Sequence, residues 1–284
     1  MTNLRLAWRK SLNGVMLTLT GVAAFGVVAV LFVILGFLIW NGGTSLNLAF
    51  FTQLPRGEGE IGGGMANAIV GSLKLLFLAA VIGLPIGLLA GVYLAEFGGK
   101  TFAFVTRYTT DLLNGAPSIV IGLFAFSIAV LPVKHFSVLA GGIALGVMVI
   151  PITVRSTEEF LRAIPNSLRE GAMALGANKW KTIATVIIPA ASGGIITGML
   201  LSLARVAGET APLIFTALNN QYWSPGLSQP SASLPVMIYI YALAPYDDWH
   251  RQAWAAGLVL LALVLTANIS CRLILNRKGS SRSV

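Results

Sequence analysis

At 284 residues, with 56% hydrophobic and only 10% charged side chains and a mean hydropathy of +0.82, the chain has too few charges to clothe a soluble domain. Nineteen Lys and Arg against ten Asp and Glu leave a net charge of +9, which membrane topology and attraction to anionic lipid account for without a nucleic-acid partner. The composition defines an all-α integral membrane protein, and the single cysteine, Cys271, excludes an intrachain disulfide and a thiol-based metal site.

Six apolar runs are each long enough for the roughly 20 residues that cross the hydrocarbon core as a helix. The first, Val15 to Ile39, follows Arg5, Arg9 and Lys10. No A-x-A-like cleavage site follows it, so it reads as an anchor and not a removed signal. The segment Trp40 to Gly64, rich in glycine with Pro55, reads as an irregular outer loop. The second run, Met65 to Leu94, carries Lys74 near its outer end, where it either snorkels or lines a pathway. Gly83, Gly87 and Gly91 recur on one face and predict close helix packing, and Pro85 supplies a kink. Gly98-Gly99-Lys100-Thr101 looks like the end of a phosphate-binding loop, but Leu94 stands where that motif needs glycine and a helix end, not a strand, precedes it.

The third run, Asp111 to Leu131, contains Pro117, and the fourth is Phe136 to Val154. Between the latter and the fifth lies the longest cytoplasmic connection, Arg155 to Pro189, whose mix of Leu, Ala, Ile and charges with one internal proline, Pro165, predicts a helical hairpin. The fifth run is Ala190 to Thr216. The outer segment Ala217 to Trp249 has Pro225, Pro230 and Pro235 and an apolar stretch, Leu234 to Leu243, too short for a span. Ala253 to Cys271 is the sixth run, and the Ser-rich tail after Gly279 is expected to be disordered. No internal repeat divides the chain, so residues 1–284 form a single membrane domain. His135 and His250 have no partner at metal-ligand spacing, and no nucleophile and base are arranged for hydrolysis; neither a catalytic nor a metal site is expected.

With both termini cytoplasmic, fourteen Lys and Arg fall in cytoplasmic segments and only Arg56, Lys134 and Arg251 in outer ones. That asymmetry sets the orientation. The remaining two cations, Lys74 and Arg205, lie inside spans.

Arg205 and Glu209 are the informative pair, because ionisable groups at membrane depth are costly and mark functional sites. On a continuous helix their i,i+4 spacing puts them on one face with Gly198, Ser202, Pro212 and Thr216, a stripe without large apolar side chains. Arginine's planar fork suits an oxyanion, and Glu209 would balance the empty site. Arg205, Glu209, Ser202 and Thr210 are therefore the expected pathway residues. The alternative is a plain intrahelical salt bridge.

In the cytoplasmic loop, Glu170-Gly171-Ala172, three residues, Gly176, nine residues and Val186-Ile187-Ile188-Pro189 resemble the loop signature of bacterial ABC importer permeases. Gly171, Val186 and Ile188 are mild departures. Small Ala172 and Ala174 allow close approach to another protein, Gly176 can turn the chain and Pro189 can start the next span; the alternative is an ordinary amphipathic surface helix. Asn114-Gly115-Ala116-Pro117-Ser118-Ile119-Val120-Ile121-Gly122-Leu123, Arg205-Val206-Ala207-Gly208-Glu209-Thr210-Ala211-Pro212 and Trp249-His250-Arg251-Gln252-Ala253-Trp254-Ala255 are similar to the PstA-type permeases of the high-affinity phosphate importer.

The resemblance implies a six-transmembrane-helix type I ABC importer permease fold in the bacterial inner membrane. It implies a homologous PstC-like permease, a PstB-like ATPase dimer that carries ATP and Mg, and a PstS-like periplasmic phosphate-binding protein. Glu170, Gly171, Ala172, Gly176 and Pro189 would couple to the ATPase. No cofactor is expected in this chain. A permease for another oxyanion or an amino acid, and a stand-alone secondary transporter, are the alternatives.

Overall fold

The computed structural model describes residues 2–280, so the last four residues of the Ser-rich tail lie outside it. In chain order the helices are α1 (Thr2–Gly42), α2 (Leu48–Thr52), α3 (Ala66–Glu96), α4 (Lys100–Gly115), α5 (Ser118–Ala125), α6 (Val138–Arg162), α7 (Asn166–Ala174), α8 (Lys179–Thr182), α9 (Ile188–Val206), α10 (Ala211–Thr216), α11 (Leu234–Leu243) and α12 (Asp247–Ser280). Widened π turns at Phe126–Val130 and Ile183–Ile187 follow α5 and join α8 to α9. Among the described residues there is no strand, only an isolated bridge from Pro55 to Gly63.

The centre of the fold is the α3/α6 pair, and glycine makes it possible. A Cβ on Gly83 would sit 2.7 Å from Val149 Cβ, and one on Gly87 or Gly91 would sit 2.6 Å from the Cβ of Thr153 or Thr157. Gly142 and Gly146 of α6 in turn receive Leu78 and Ile82. Between membrane helices, with no hydrophobic drive to separate them from lipid, this backbone approach supplies the van der Waals contact that holds them. The expected packing role of Gly83, Gly87 and Gly91 is thus seen directly. Gly194 and Gly198 bring α9 onto Phe160 and Ser156 of α6 in the same way, and Gly122 of α5 seats Pro212 of α10. At the other end of the sequence, Gly42 closes α1 onto the Trp254–Ala255 backbone of α12, and Phe37 meets Trp254 edge-on at 5.7 Å.

Three expectations change. The third run is not one span, because Asp111 to Asn114 belong to α4, which meets the α5 segment at 105° across Ala116 and Pro117. Pro117 is disfavoured as a continuation of α4, since its ring pushes Ala116 out of the helical region; Ala116 is extended at ψ 136°. The segment beyond the bend, Ser118–Val130, offers only about 20 Å of helix. Counting this bent pair as one gives six candidate spans, the other five each a long apolar helix.

The loop from Arg155 to Pro189 is likewise no hairpin. α6 runs on to Arg162, α7 is a single short helix, and the next long helix already begins at Lys179. Pro189 stands in the first turn of α9, but the long helix as a whole already begins at Lys179, so the proline starts the α9 segment and not the full span. It follows the Ile183–Ile187 π turn, whose i→i+5 bonding leaves room for a ring that would clash with the carbonyl four residues back.

On the end opposite α7, the segment between α10 and α11 folds inward. Leu227 O and Gln229 O accept from the N–H groups of Leu139 and Val138, filling the orphan donors at the start of α6. Asn67 Nδ2 donates to Asn220 O at 2.7 Å and Lys74 Nζ to Ser224 O at 2.6 Å. Lys74 thereby acts as a tether for this loop. The glycine-rich loop is pinned too: Gly62, in the left-handed region at φ +91°, donates its N–H to Asp248 Oδ2, and Gln252 Nε2 donates to Gly62 O. Trp249 stacks on Tyr241 at 4.2 Å and His250 Nε2 donates to Ala244 O at 2.6 Å. The run from Trp249 to Ala255 therefore builds the N-terminal end of α12 and its loop clamp.

Candidate functional site

Two places in this frame carry chemistry: the protruding helix α7 and the break between α9 and α10. α7 has no buried residue. Glu170, Gly171, Met173 and Ala174 are exposed, Ala172 is half-buried, and Leu168 and Leu175 present apolar surface beside them. Pro165, extended at φ −58° and ψ 143°, enters the helix.

Gly176 ends it. At φ +86° its N–H donates to Met173 O at 2.9 Å, and Ala177 N–H donates to Ala172 O at 3.2 Å, the paired bonds of a Schellman turn that only glycine adopts without strain. The signature glycine is thus the residue that reverses the chain after this exposed helix.

Around the base of α7 is a set of buried polar contacts that sequence reading did not single out. Arg169 donates to Glu96 Oε1 from Nη2 at 2.8 Å and from Nε at 3.2 Å. The same guanidinium donates to Leu161 O at 2.8 Å, to Ile164 O at 2.6 Å and to Asn166 Oδ1 at 3.4 Å. Glu96 is only 7% exposed. Lys179, just after the turn, donates to Glu96 O at 2.6 Å and lies 4.2 Å from the Phe97 ring, which Trp180 covers at 4.8 Å. A second cluster ties α4 to α6: Glu158, 4% exposed, accepts from Arg107 Nε at 2.7 Å and pairs with Arg162 at 3.1 Å, all through Oε1. Its Oε2 is buried without a partner. Removing an arginine from such a carboxylate is destabilising, because the acid left behind stays desolvated. The available signal was acidic residues at the ends of apolar runs, which a reading centred on mid-span charges passes over.

At the second place the expected single-helix stripe is interrupted. α9 stops at Val206, Gly208 and Glu209 close only three-residue turns onto Arg205 O and Val206 O, and α10 restarts with Pro212 in its first turn. Pro212 has no N–H for the Gly208 carbonyl, so the helix cannot run through. Arg205 is exposed in the last turn of α9, where a cation suits the carbonyl end of the helix. Glu209 and Thr210 are half-buried in the break. Among the described residues neither Arg205 nor Glu209 forms a salt bridge, so the simple intrahelical pair is not what the fold builds. Ser202 leaves the set altogether. It is fully buried against α6, its hydroxyl 3.4 Å from that of Thr153 and bonded to Met199 O at 2.7 Å. Pro212 and Thr216 are also buried. Gly98 to Thr101 joins α3 to α4 and has no strand before it. Among the described residues no three His, Cys, Asp or Glu side chains are grouped to hold a metal ion.

Both places sit on a bundle centred on two glycine-packed helices, with one short helix turned out between long ones. Residues 83–279 match the family described as binding-protein-dependent transport system inner membrane component, and the chain belongs to that family. It is 46% identical over 277 residues, covering 97% of this chain and 98% of the relative, to the phosphate transport system permease protein PstA of Haemophilus influenzae. To the PstA of Yersinia pestis it is 45% identical over 274 residues, 96% of this chain and 92% of that one. Within the family the chain is a PstA-type permease, a transport subunit and not itself an enzyme.

Among solved structures, the inward-facing MetNI methionine ABC transporter aligns with a TM-score of 0.59 at 19% identity, over 74% of this chain and 95% of that one. A bacterial ABC transporter that imports the acidic polysaccharide alginate aligns at 0.52 and 19%, over 87% and 94%. These likenesses show the fold, that of a type I ABC importer permease.

Proposed function

We propose that the chain forms half of the translocation pathway of an ATP-driven inorganic phosphate importer and couples through α7 to an ATPase subunit. The observation that carries this reading is near-full-length similarity to proteins named as phosphate transport permeases. The physical case is consistent with it. Phosphate crosses a low-dielectric barrier with one or two charges, and an unpaired ion there is prohibitively costly. Arg205, exposed at a helix break, offers a bidentate fork to phosphate oxygens, with Glu209 and Thr210 in the same break.

α7 supplies the other half of the function. Its exposed Glu170 to Ala174 segment fits a groove on a PstB-like ATPase dimer, which holds ATP and Mg, and Gly176 fixes the angle at which that helix is presented. A PstC-like permease completes the pathway and a PstS-like binding protein delivers phosphate from the periplasm. In this reading the α7 end and both termini are cytoplasmic, in line with the fourteen basic residues on that side.

The test is co-purification with candidate ATPases, followed by reconstitution in liposomes with the partner permease and binding protein. Phosphate should stimulate ATP hydrolysis and labelled phosphate should accumulate. Uptake of sulfate or molybdate in place of phosphate would reassign the substrate, and stimulation by none of them would refute the reading.

A further inference from the structure

We propose that Arg169 is a positioning residue that locks α7 to the ends of α3 and α6, so that a push on α7 by an ATPase moves α3 as one body with it. The inference rests on the proposed coupling role of α7 and adds the route by which force leaves that helix.

Little else holds α7, which touches the Ile183–Ile187 turn and α8. It buries no residue of its own, so hydrophobic packing ties it only weakly to its neighbours. A helix of nine residues attached only by its two turns would tilt when pushed and dissipate the displacement. Arg169 prevents this with five hydrogen bonds that reach three elements. Two go to the Glu96 carboxylate in the last turn of α3, two to the carbonyls of Leu161 and Ile164 at the end of α6, and one to Asn166 at the start of α7 itself. Leu161 lies in the last turn of α6, its carbonyl reached by the Ile164 N–H at 3.3 Å, and Ile164 lies in the turn beyond, so one rigid fork braces the end of a helix and an ion pair together. Lysine could not do this, since its point charge lacks the fork.

The other side of α7 is anchored to the same spot. Lys179 donates to the Glu96 backbone carbonyl and lies over Phe97, which Trp180 covers. Both flanks of the exposed helix thus converge on residues 96–97 at the end of α3. From there α3 runs upward against α6 through the Gly83, Gly87 and Gly91 contacts, in which backbone meets side chain with no slack for sliding. Displacement at α7 is passed to the membrane-spanning pair with little loss.

The first measurement uses spin labels at Ser167 on α7 and Leu89 on α3, both exposed, in the complex assembled with its ATPase. In the unmutated protein the label distance should be the same without nucleotide and with trapped ATP. In Arg169→Met, which keeps the stem and removes every donor, it should broaden and shift between the two states. A distance that changes with nucleotide in the unmutated protein, or an unaffected one in the variant, overturns the proposal.

The second measurement is ATP hydrolysed per phosphate imported in liposomes. Arg169→Met should retain ATP hydrolysis while uptake falls at least tenfold. Proportional loss of both in the assembled complex, or no change in either, assigns the junction to stability alone. Should Arg169→Met fail to assemble, Glu96→Gln, which keeps the shape and an acceptor for Arg169, decides by the same ratio; failure of both to assemble also counts against a transmitting role. The distance measurement needs no substrate, so a failure of the phosphate reading would show as absent uptake in the unmutated complex and leave the junction result standing.

Discussion

At the scale of single residues, Arg205 is an exposed cation at the end of a helix, and the break after it separates two roles by experiment. If its task were to neutralise Glu209, replacing both by leucine would remove the imbalance and restore much of the transport lost in either single variant. With no ion pair between them among the described residues, the expected result is that the double variant stays inactive. Arg205→Lys should also lose most of the uptake because the fork is gone. Labelled phosphate uptake, with complex assembly checked separately, measures both, and robust uptake by the assembled double variant would remove Arg205 from the pathway. The glycines in and just after α7 make a contrasting pair. Gly176 has open space around it but a φ of +86°, so Gly176→Ala should cost about 1–3 kcal/mol through backbone strain alone. Gly171 has equal space and helical backbone, so Gly171→Ala should stabilise the helix by about 0.5–1 kcal/mol. Thermal unfolding of the purified protein should move in opposite directions for the two.

At the scale of elements, the α3/α6 interface admits no added side-chain volume. Gly87→Val places a branched side chain where even a Cβ would come 2.6 Å from Thr153 Cβ. Overpacking of this kind costs about 1–3 kcal/mol, so the variant should melt earlier in detergent and reach the membrane at reduced level. Gly99→Val, in open space, should do neither to the same extent. For α7 the expected outcome is contact with another protein. Cysteines at Ala172 or Ala174 should crosslink to a single-cysteine ATPase in the intact complex, and a failure to do so in a complex that still assembles would contradict the coupling assignment.

At the scale of the molecule, the ends of the bundle differ in kind. One carries α7 and the buried ion pairs of Glu96 and Glu158; the other carries the irregular loops clamped by Asp248, Gln252, Lys74 and Asn67. Basic residues gather at the first. Cysteines introduced at Gly57 and Ser228 should therefore react with a membrane-impermeant reagent added to intact cells, while cysteines at Lys179 and Lys181 should not. Labelling of the latter pair from outside would reverse the orientation.

Much of this arrangement is readable from the residues in order, because membrane helices are set by local composition: with no water to satisfy the backbone, apolar runs such as Met65 to Leu94 have only one structure available. Glycine spacing at 83, 87 and 91 likewise states a close contact, and the spacing from Glu170 to Pro189 marks the segment that the fold presents as the exposed helix α7 and the turn after it. Legibility ends where composition is the same on both sides of a structural boundary. The runs Asp111 to Leu131 and Ala190 to Thr216 are each broken inside by a proline whose effect depends on what its neighbours can satisfy. Arg205 and Glu209 lost their common face to one of these breaks, and Ser202 was drawn into the α6 contact. Only the tertiary structure decided that Arg169 meets Glu96 across 73 positions of sequence, since the partner of a buried charge is chosen by whichever helix ends converge, and that convergence is a property of packing, not of any local run.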